Sequence, residues 1–328
     1  MPISVLEFEK PIIELEQKLH ECETAEPRDE TAVARLREEL ARRQQQIYSR
    51  LTPWQRVLVA RHPERPHSTD YVHAMMDDFV ELHGDRYYSD DKAMICGMAK
   101  FAGHPVAVIA QQKGRDTKEN LQRNWGMSHP EGYRKAHRVM NLANRFGMPI
   151  IVFIDTPGAF PGIGAEERGQ AEAIAHNIRD MFTLEIPIIC IVVGEGASGG
   201  ALGVGVGDSI LMLENSWYCV ISPEGCAAIL WKDRAMAERA AEQLKLTASD
   251  LIALGVVDEV IPEPLGGAHR NPKETYDNVR HALEIRLAAL LEISSEERIE
   301  RRYQKFRAMG AFHAGEHGQP RTTTTEPE

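Results

Sequence analysis

The 328-residue sequence predicts an α/β fold with much parallel strand, and three observations carry that prediction. From about residue 90, short apolar runs are separated by glycine and proline, the pattern of strands buried on both faces. Between those runs lie stretches of helical periodicity, notably 133–146 and 166–183. Two segments also echo one another. Met148-Pro-Ile-Ile-Val-Phe-Ile-Asp155 runs into TPGAFPGIG, and Ile186-Pro-Ile-Ile-Cys-Ile-Val-Val193 runs into GEGASGG, with the two prolines 38 residues apart. Each unit reads strand, glycine-rich loop, helix, and the short spacing suits a stacked strand–helix spiral.

Taken in order, the first 75 residues read as helix. Ile12, Leu15, Leu19 and Cys22 recur at steps of three and four, Pro27 interrupts, and Val33, Leu36, Leu40, Ile47 and Leu51 resume the stripe. This predicts a helical hairpin with solvated charges on one side and an apolar face that something, such as a partner subunit, must cover. Strands are expected at 93–100, 105–111, 149–155, 187–193, 209–213 and 218–221. Beyond Pro264 a GGAHRNP loop leads to a helix with Val279, Leu283, Leu287 and Leu290 as its stripe. Ser294 or Ser295, with Glu297 close behind, caps a last helix expected to end at Gly310. The tail 311–328 has no apolar periodicity and is expected to be disordered. The chain therefore divides into an arm (1–75), an α/β core (76–265), C-terminal helices (266–310) and a tail.

Composition excludes several classes. With 38 basic and 49 acidic residues the net charge is −11, which argues against a general nucleic-acid binder that must neutralise phosphates. The longest apolar run, 186–193, is far short of the roughly 20 residues of a membrane helix. The start, MPISVLEFEK, has no apolar stretch of a signal peptide, and the five scattered cysteines form no CxxC pair, so a reducing cytoplasm is expected.

The segment Val193-GEGASGGALGVGVGD-208 matches several motifs at once. Gly194-x-Gly196-x-x-Gly199, with Glu214 twenty residues beyond Gly194, fits a dinucleotide fingerprint and an oxidoreductase. Gly196-x-Ser198-x-Gly200 fits a nucleophile elbow, with His269 and His281 as the first candidate bases of a serine hydrolase. The pair Gly199-Gly200 could present bare backbone N–H groups to a developing oxyanion. A purely structural reading also stands, in which glycines at 199, 203 and 207 bare one helix face for close packing, as in a non-enzymatic scaffold. The companion loop 155–164 holds two prolines and three glycines at or near a strand end, where α/β proteins bind ligands, or is simply a stiff connector. Between 113 and 138 seven basic residues (Lys113, Arg115, Lys118, Arg123, Arg134, Lys135 and Arg138) outnumber three acids, as a landing site for an anion or as a solvated surface. There is no P-loop and no HExxH, and His129-Pro-Glu131 lacks the PCxxC of zinc deaminases, so no metal site is expected.

Four blocks then carry a family resemblance: QKGRDTKENLQRNWGMSHPEGYRKAHRVM from Gln112, FIDTPGAFPGIGAEERGQAEAIA, GEGASGGALGVGVGD and ISPEGCAAILWKD. From about residue 5 to 310 the chain resembles the alpha subunit of the bacterial and plastid acetyl-CoA carboxylase carboxyltransferase. The resemblance implies a crotonase-like spiral of ββα units with oxyanion holes of backbone amides. It implies transfer of a carboxyl group from carboxybiotin, on a separate biotin carboxyl carrier protein, to acetyl-CoA, giving malonyl-CoA for fatty-acid synthesis. In the family mechanism CO₂ is released as the biotin ureido oxygen gains charge, the biotin nitrogen takes the methyl proton, and the thioester enolate attacks CO₂. By the same resemblance Gly199 and Gly200 donate to the ureido oxygen. Gly158, Ala159, Phe160, Pro161, Gly162 and Gly164 shape the biotin side of the cleft, and Lys113 and Arg115 line it or meet phosphate. Ala197 stands where the family commonly has glycine. A zinc-binding beta subunit, in an α₂β₂ assembly, is implied to supply most of the acetyl-CoA site. ATP is used only by the biotin carboxylase component, and neither membrane nor nucleic acid is an expected partner.

Overall fold

The structure is a computed structural model that describes residues 6–26 and 28–310, with the backbone alone of 313–314 and 320–321. Helices α1 (Lys10–Thr24) and α2 (Glu30–Tyr48) form the expected hairpin, and Asp29 caps α2 by accepting the Thr31 and Ala32 N–H groups. The predicted stripe faces inward. Ile12, Val33 and Leu51 are buried, and Leu15, Leu19, Cys22, Leu36, Leu40 and Ile47 are half-buried, because the two helices cover each other. Pro27 lies outside the described residues. Two short helices follow, α3 (Pro53–Ala60), started by a Thr52–Gln55 capping box, and α4 (Ser68–Met75).

The sheet contains β1 (Asp77–Glu81), β2 (Met94–Phe101), β3 (His104–Gln111), β4 (Ile150–Thr156), β5 (Ile188–Ala197), β6 (Ser209–Leu213), β7 (Trp217–Cys219) and β8 (Glu259–Ile261). Their order is β1-β2-β3-β4-β5-β6-β8, with β7 pairing the end of β5. The first three strands are antiparallel and every later pairing is parallel. Six strands match the expectation to within a few residues. The other two, β1 and β8, escape it because DDFVE is mostly charged and EVI is three residues long.

Helices fill the connections. Between β3 and β4 come α5 (Thr117–Gln122) and α6 (Pro130–Arg145); between β4 and β5, α7 (Ile163–Glu167) and α8 (Gln170–Met181); after β5, α9 (Ser198–Leu202). Then follow α10 (Pro223–Trp231), α11 (Ala237–Leu244) and α12 (Ala248–Ala253), and after β8 the long α13 (Pro272–Leu291) and α14 (Ser295–Arg307). The helix expected over 166–183 is two helices, because Gly169 adopts a left-handed φ of 82° between them. Ser294, not Ser295, caps the last helix, which ends at Arg307 rather than Gly310. The tail 311–328 has only the pairing of 313–314 with 320–321 within the described residues.

The echo in the sequence is a register in space. Ile150 pairs with Ile188, and the pairing runs on to Ile154 with Val192, so the 38-residue offset sets the two repeats side by side as β4 and β5. A bulge then shifts the pairing to Thr156 and Gly196. Alternate strand residues feed two cores. Ile150, Val152 and Ile154 pack with Tyr133, Val139 and Met140 of α6 on one face, while Ile151 and Phe153 pack with Tyr71 of α4 and Leu283 of α13 on the other. Each such fully buried side chain stabilises the fold by about 1.5–3 kcal/mol. The site thus rests on a central sheet covered by helices on both faces. No helix of the described residues is long and apolar enough to cross a membrane.

Candidate functional site at the carboxyl ends of the parallel strands

Strand β5 runs on to Ala197, so Gly194 and Gly196 are strand residues and not a phosphate loop. A side chain at Gly194 would strike the Asp155 carboxylate, and one at Gly196 would meet the Tyr218 ring at 2.8 Å. Glu214, the candidate ribose acid, instead accepts the Glu263 N–H. The dinucleotide geometry is therefore absent. Helix α9 spans five residues, so Gly203 only caps it against the Tyr133 ring, and Gly207 lies beyond it against Cys190 Sγ.

Ser198 is exposed and holds a left-handed φ of 58° at the sharp turn from strand to helix. Such a turn resembles an elbow, but no base serves it. His269 is buried and stacked on His62 with ring centroids 3.9 Å apart, and His281 lies on the exposed side of α13. Neither hydrogen-bonds Ser198 among the described residues.

Gly199 and Gly200 differ in what their missing side chains permit. A Cβ on Gly200 would lie 2.5 Å from Ala159 N and closer still to Gly158 C, so the backbone of the companion loop occupies that space. A Cβ on Gly199 would meet only Ile174, at 3.6 Å, an ordinary contact. The fold has room for a methyl at 199, so packing does not require glycine there. The first turn of α9 leaves its N–H groups without intrahelical acceptors, and no side chain caps them. The turn is held from behind: Gln111 Nε2 donates to Gly200 O at 2.7 Å, and Tyr133 OH reaches the same oxygen at 3.4 Å. A cavity of about 440 Å³ opens against Ser198 and Gly199, walled by Leu202, Tyr218, Leu251 and Phe306.

The companion loop is pinned at its start. Thr156 Oγ1 donates to Gly126 O at 2.6 Å and accepts the Gly158 N–H at 3.1 Å, and Gly158 adopts a φ of 143°. Phe160 stacks on His129 at 4.1 Å and donates its N–H to Ser128 O. Pro161 is exposed, and Gly162 and Gly164 enter α7. Gly158 and Ala159 thus touch the glycine turn directly, whereas Pro161, Gly162 and Gly164 sit farther along the loop.

Lys113 has a different place from the one its sequence position suggests. Its Nζ donates to Asp155 Oδ1 at 2.6 Å and Glu195 Oε1 at 2.7 Å, and Glu195 also meets Arg61 at 2.6 Å. Burial alone would lower the Lys113 pKa, but the two carboxylates outweigh it and raise the value. Burial likewise works against the Glu195 carboxylate, yet Lys113 and Arg61 hold its pKa below the ordinary range. Arg115 pairs with Asp70. Lys113 and Arg115 line a separate cavity of about 450 Å³ with Arg61, His67, Trp125 and Asp155, which has no wall in common with the cavity at Gly199. Much of the basic segment is spoken for. Lys135 is fully buried on Asp90, Arg134 pairs with Asp85, and Arg123 donates to Lys92 O. Asp155, Glu195, Arg61, Gln111 and Tyr133 were not singled out from the sequence, since nothing local marks residues that meet only through strand ends.

Tertiary structure also gathers Glu9, His62 and His269, whose ligand-capable atoms lie within 4.8 Å of one another. The imidazoles are stacked, 18° from parallel, so their lone pairs do not converge on one point. His62 Nδ1 accepts the Glu64 N–H, and Tyr48 OH donates to Glu9 at 2.5 Å. The trio reads as a clamp of the arm onto the core. Burial would raise the Glu9 pKa, but His269, Tyr48 and Arg270 bring it down to about 2.

Comparison with known proteins gives the family. A family model described as acetyl co-enzyme A carboxylase carboxyltransferase-like matches residues 5–310. The acetyl-coenzyme A carboxylase carboxyl transferase subunit alpha of Geobacillus kaustophilus is 54% identical over 94% of this chain and 96% of its own length. That of Geobacter metallireducens is 56% identical, over 94% and 98%. Among solved structures, transcarboxylase 12S with methylmalonyl-coenzyme A aligns with TM-score 0.54 and 21% identity, covering 67% of this chain and 41% of that longer one. A Pseudomonas malonate decarboxylase hetero-tetramer in complex with coenzyme A aligns with TM-score 0.55 and 18% identity, over 65% and 85%. The last two share the fold of this chain, which is crotonase-like. On the family match and the identity across nearly its whole length, the chain belongs to the acetyl-CoA carboxylase carboxyltransferase alpha-subunit family.

Proposed function

We propose that this chain is the alpha half of a carboxyltransferase that moves a carboxyl group from carboxybiotin, borne on a carrier protein, to acetyl-CoA. The product, malonyl-CoA, feeds fatty-acid synthesis. The observation that carries the reading is the glycine turn at 199–200. Gly199 borders an apolar cavity, and Gln111 and Tyr133 brace the turn from behind through Gly200 O.

Carboxybiotin, when docked, supplies transferable CO₂ and a ureido oxygen that gains negative charge. This chain's part is to meet that charge with fixed donors. Each backbone donor of this kind contributes on the order of 10²- to 10³-fold in rate. Backbone amides suit the task because they need no proton transfer and no reorganisation. Gly158 and Ala159 set the position of Gly200, and Phe160, Pro161, Gly162 and Gly164 bound the same side of the cleft. Lys113 acts by holding Asp155 and Glu195, and so the end of β5, while Arg115 stands at the rim of the neighbouring cavity. Ser198 is a turn residue.

The acetyl-CoA site falls mainly to a zinc-binding beta subunit, in an α₂β₂ assembly in the cytoplasm, with the arm 1–75 and helices 266–310 flanking the core 76–265. No covalent cofactor belongs to this chain, and ATP is consumed by the biotin carboxylase component. The test is carboxyl transfer from malonyl-CoA to free biocytin, with the chain alone and then co-expressed with a beta-type partner. Activity only with the partner is expected. A stable complex without activity overturns the reading, and hydrolysis by the chain alone, lost in Ser198→Ala, would replace it.

A further inference from the structure

The groove between α6 and α8 has no part in that reaction, yet it is built like a ligand site. It holds an open cavity of about 660 Å³, lined in part by the turn that carries Arg86 and Tyr87. A lone phosphate is far too small for such a space, which lies within the roughly 300–1,000 Å³ of pockets for drug-sized ligands.

Three arginines border it, and they differ in how their charge is met. Arg134 is neutralised by Asp85 at 2.8 Å. Among the described residues Arg138 donates only to the backbone oxygens of Gly84 and His83, at 3.2 Å each, so no carboxylate there pairs with its charge. Arg86 makes no hydrogen bond or ion pair among the described residues. The acid on the opposite rim, Glu172, is 69% exposed and screened by solvent. In a chain of net charge −11, two unneutralised guanidinium groups at one cavity favour an anion.

The floor is packed shut. Asn177 is 1% exposed, and its Nδ2 donates to Tyr133 O at 3.1 Å. That carbonyl can only accept, so the amide orientation is settled and Oδ1 is the atom left over. Oδ1 has no partner. The atom is shielded from the cavity by its neighbours, so it belongs to the packing beneath the groove and not to a ligand. On the groove's rim the Tyr87 ring is 86% exposed, while its N–H is tied to Asp85 Oδ1 at 3.0 Å, so a flat apolar surface is presented on a fixed backbone.

Anion-binding rim and stacking surface together match one chemical class. We propose that this groove binds a nucleoside diphosphate, with its phosphates on Arg86 and Arg138 and its base against Tyr87.

Isothermal titration of the full-length chain with ADP, at low salt and without divalent metal, tests this. Adenosine and inorganic pyrophosphate serve as the two halves. One saturable ADP site is expected, with each half binding more weakly than the whole. Arg86→Ala, which removes a charge-assisted contact, weakens ADP by about tenfold or more. Tyr87→Ala, which removes a stacking face, weakens it by about fivefold or more. Both positions are on the surface, and unchanged thermal melts confirm that the variants fold. Arg115→Ala, at the other cavity, leaves ADP binding as it was. No saturable heat in the millimolar range overturns the proposal. So does ADP binding that ignores both Arg86→Ala and Tyr87→Ala, or that is lost in Arg115→Ala instead. Pyrophosphate as tight as ADP would reduce the groove to an anion site and overturn the nucleotide assignment.

Discussion

Replacing Gly199 and Gly200 one at a time by alanine separates the needs of the fold from those of the chemistry. At Gly200 the new methyl would sit 2.5 Å from Ala159 N and nearer still to Gly158 C. Non-bonded carbon contacts settle at about 3.5–4.0 Å, so the 158–159 backbone must retreat by roughly 1 Å or more. Forcing a packed site apart in this way costs about 1–3 kcal/mol. For a domain of this size each kcal/mol lowers Tm by about 2–4 °C. The same retreat moves the amides, and a misplacement of about 1 Å can cost on the order of 10²-fold in rate. At Gly199 the methyl lies 3.6 Å from Ile174 Cδ1, which needs no adjustment, and alanine is favoured over glycine in a helix by about 0.5–1 kcal/mol. Gly199→Ala should therefore melt at or above the wild-type temperature and still transfer carboxyl groups more slowly, because the methyl stands where a ligand must approach. The assay is malonyl-CoA-to-biocytin transfer by the assembled complex, beside thermal melts of both variants. A wild-type rate in Gly199→Ala would refute the argument that its bareness serves a ligand. An unchanged Tm in Gly200→Ala would refute the packing on which the turn's position rests.

Other consequences follow from the network around the turn. Lys113→Met leaves Asp155 buried beside Glu195 with its cationic partner gone, and should cost about 3–5 kcal/mol in denaturant unfolding; a loss below about 1 kcal/mol would show the network to be dispensable. Gln111→Leu removes the donor behind Gly200 O and should slow transfer more than the roughly 1 kcal/mol of stability it costs would explain, so equal rates would strip Gln111 of its positioning role. Ser198→Ala should transfer at the wild-type rate, and Ser198→Gly, by relieving a φ of 58°, should raise stability by about 1 kcal/mol; inactivity of the alanine variant would revive the elbow. Glu9 has a folded pKa of about 2 against an ordinary 4.5, so its stabilising contribution is complete above 4.5 and is lost as pH falls from there toward 2. Glu9→Gln should flatten the decline of Tm between pH 5 and pH 3, and parallel curves would show that the arm clamp does not titrate there.

Much was legible in the sequence because much of it is local. Apolar runs between glycines predicted six of eight strands, since a strand buried on both faces needs nothing but its own side chains to declare itself. The missed strands β1 and β8 are charged or three residues long and exist only because a neighbour supplies the ladder. Helical stripes such as Val279, Leu283, Leu287 and Leu290 were visible for the same local reason, and all four are buried. The PII echo even carried a tertiary fact, for its offset is the register of β4 on β5. What periodicity cannot register is a left-handed break such as Gly169, or a strand that continues through Gly194 and Gly196 because Asp155 and Tyr218 fill the space of their side chains.

The glycine turn was conspicuous by composition, but composition left four readings of it open. Only the fold chose among them, by extending β5 to Ala197, by placing His269 against His62 rather than Ser198, and by laying the 158–159 backbone on Gly200. The site's supports were equally out of reach. Arg61, Gln111, Asp155 and Glu195 come from one helix end and three strand ends, and converge because parallel strands deliver their carboxyl ends to one edge of the sheet. The sequence by itself thus determined the elements, their order and the family, since these depend on each residue's near neighbours and on matched motifs. The tertiary structure alone decided which distant residues share a cavity, because that depends on sheet register and chain crossing, which no local pattern encodes.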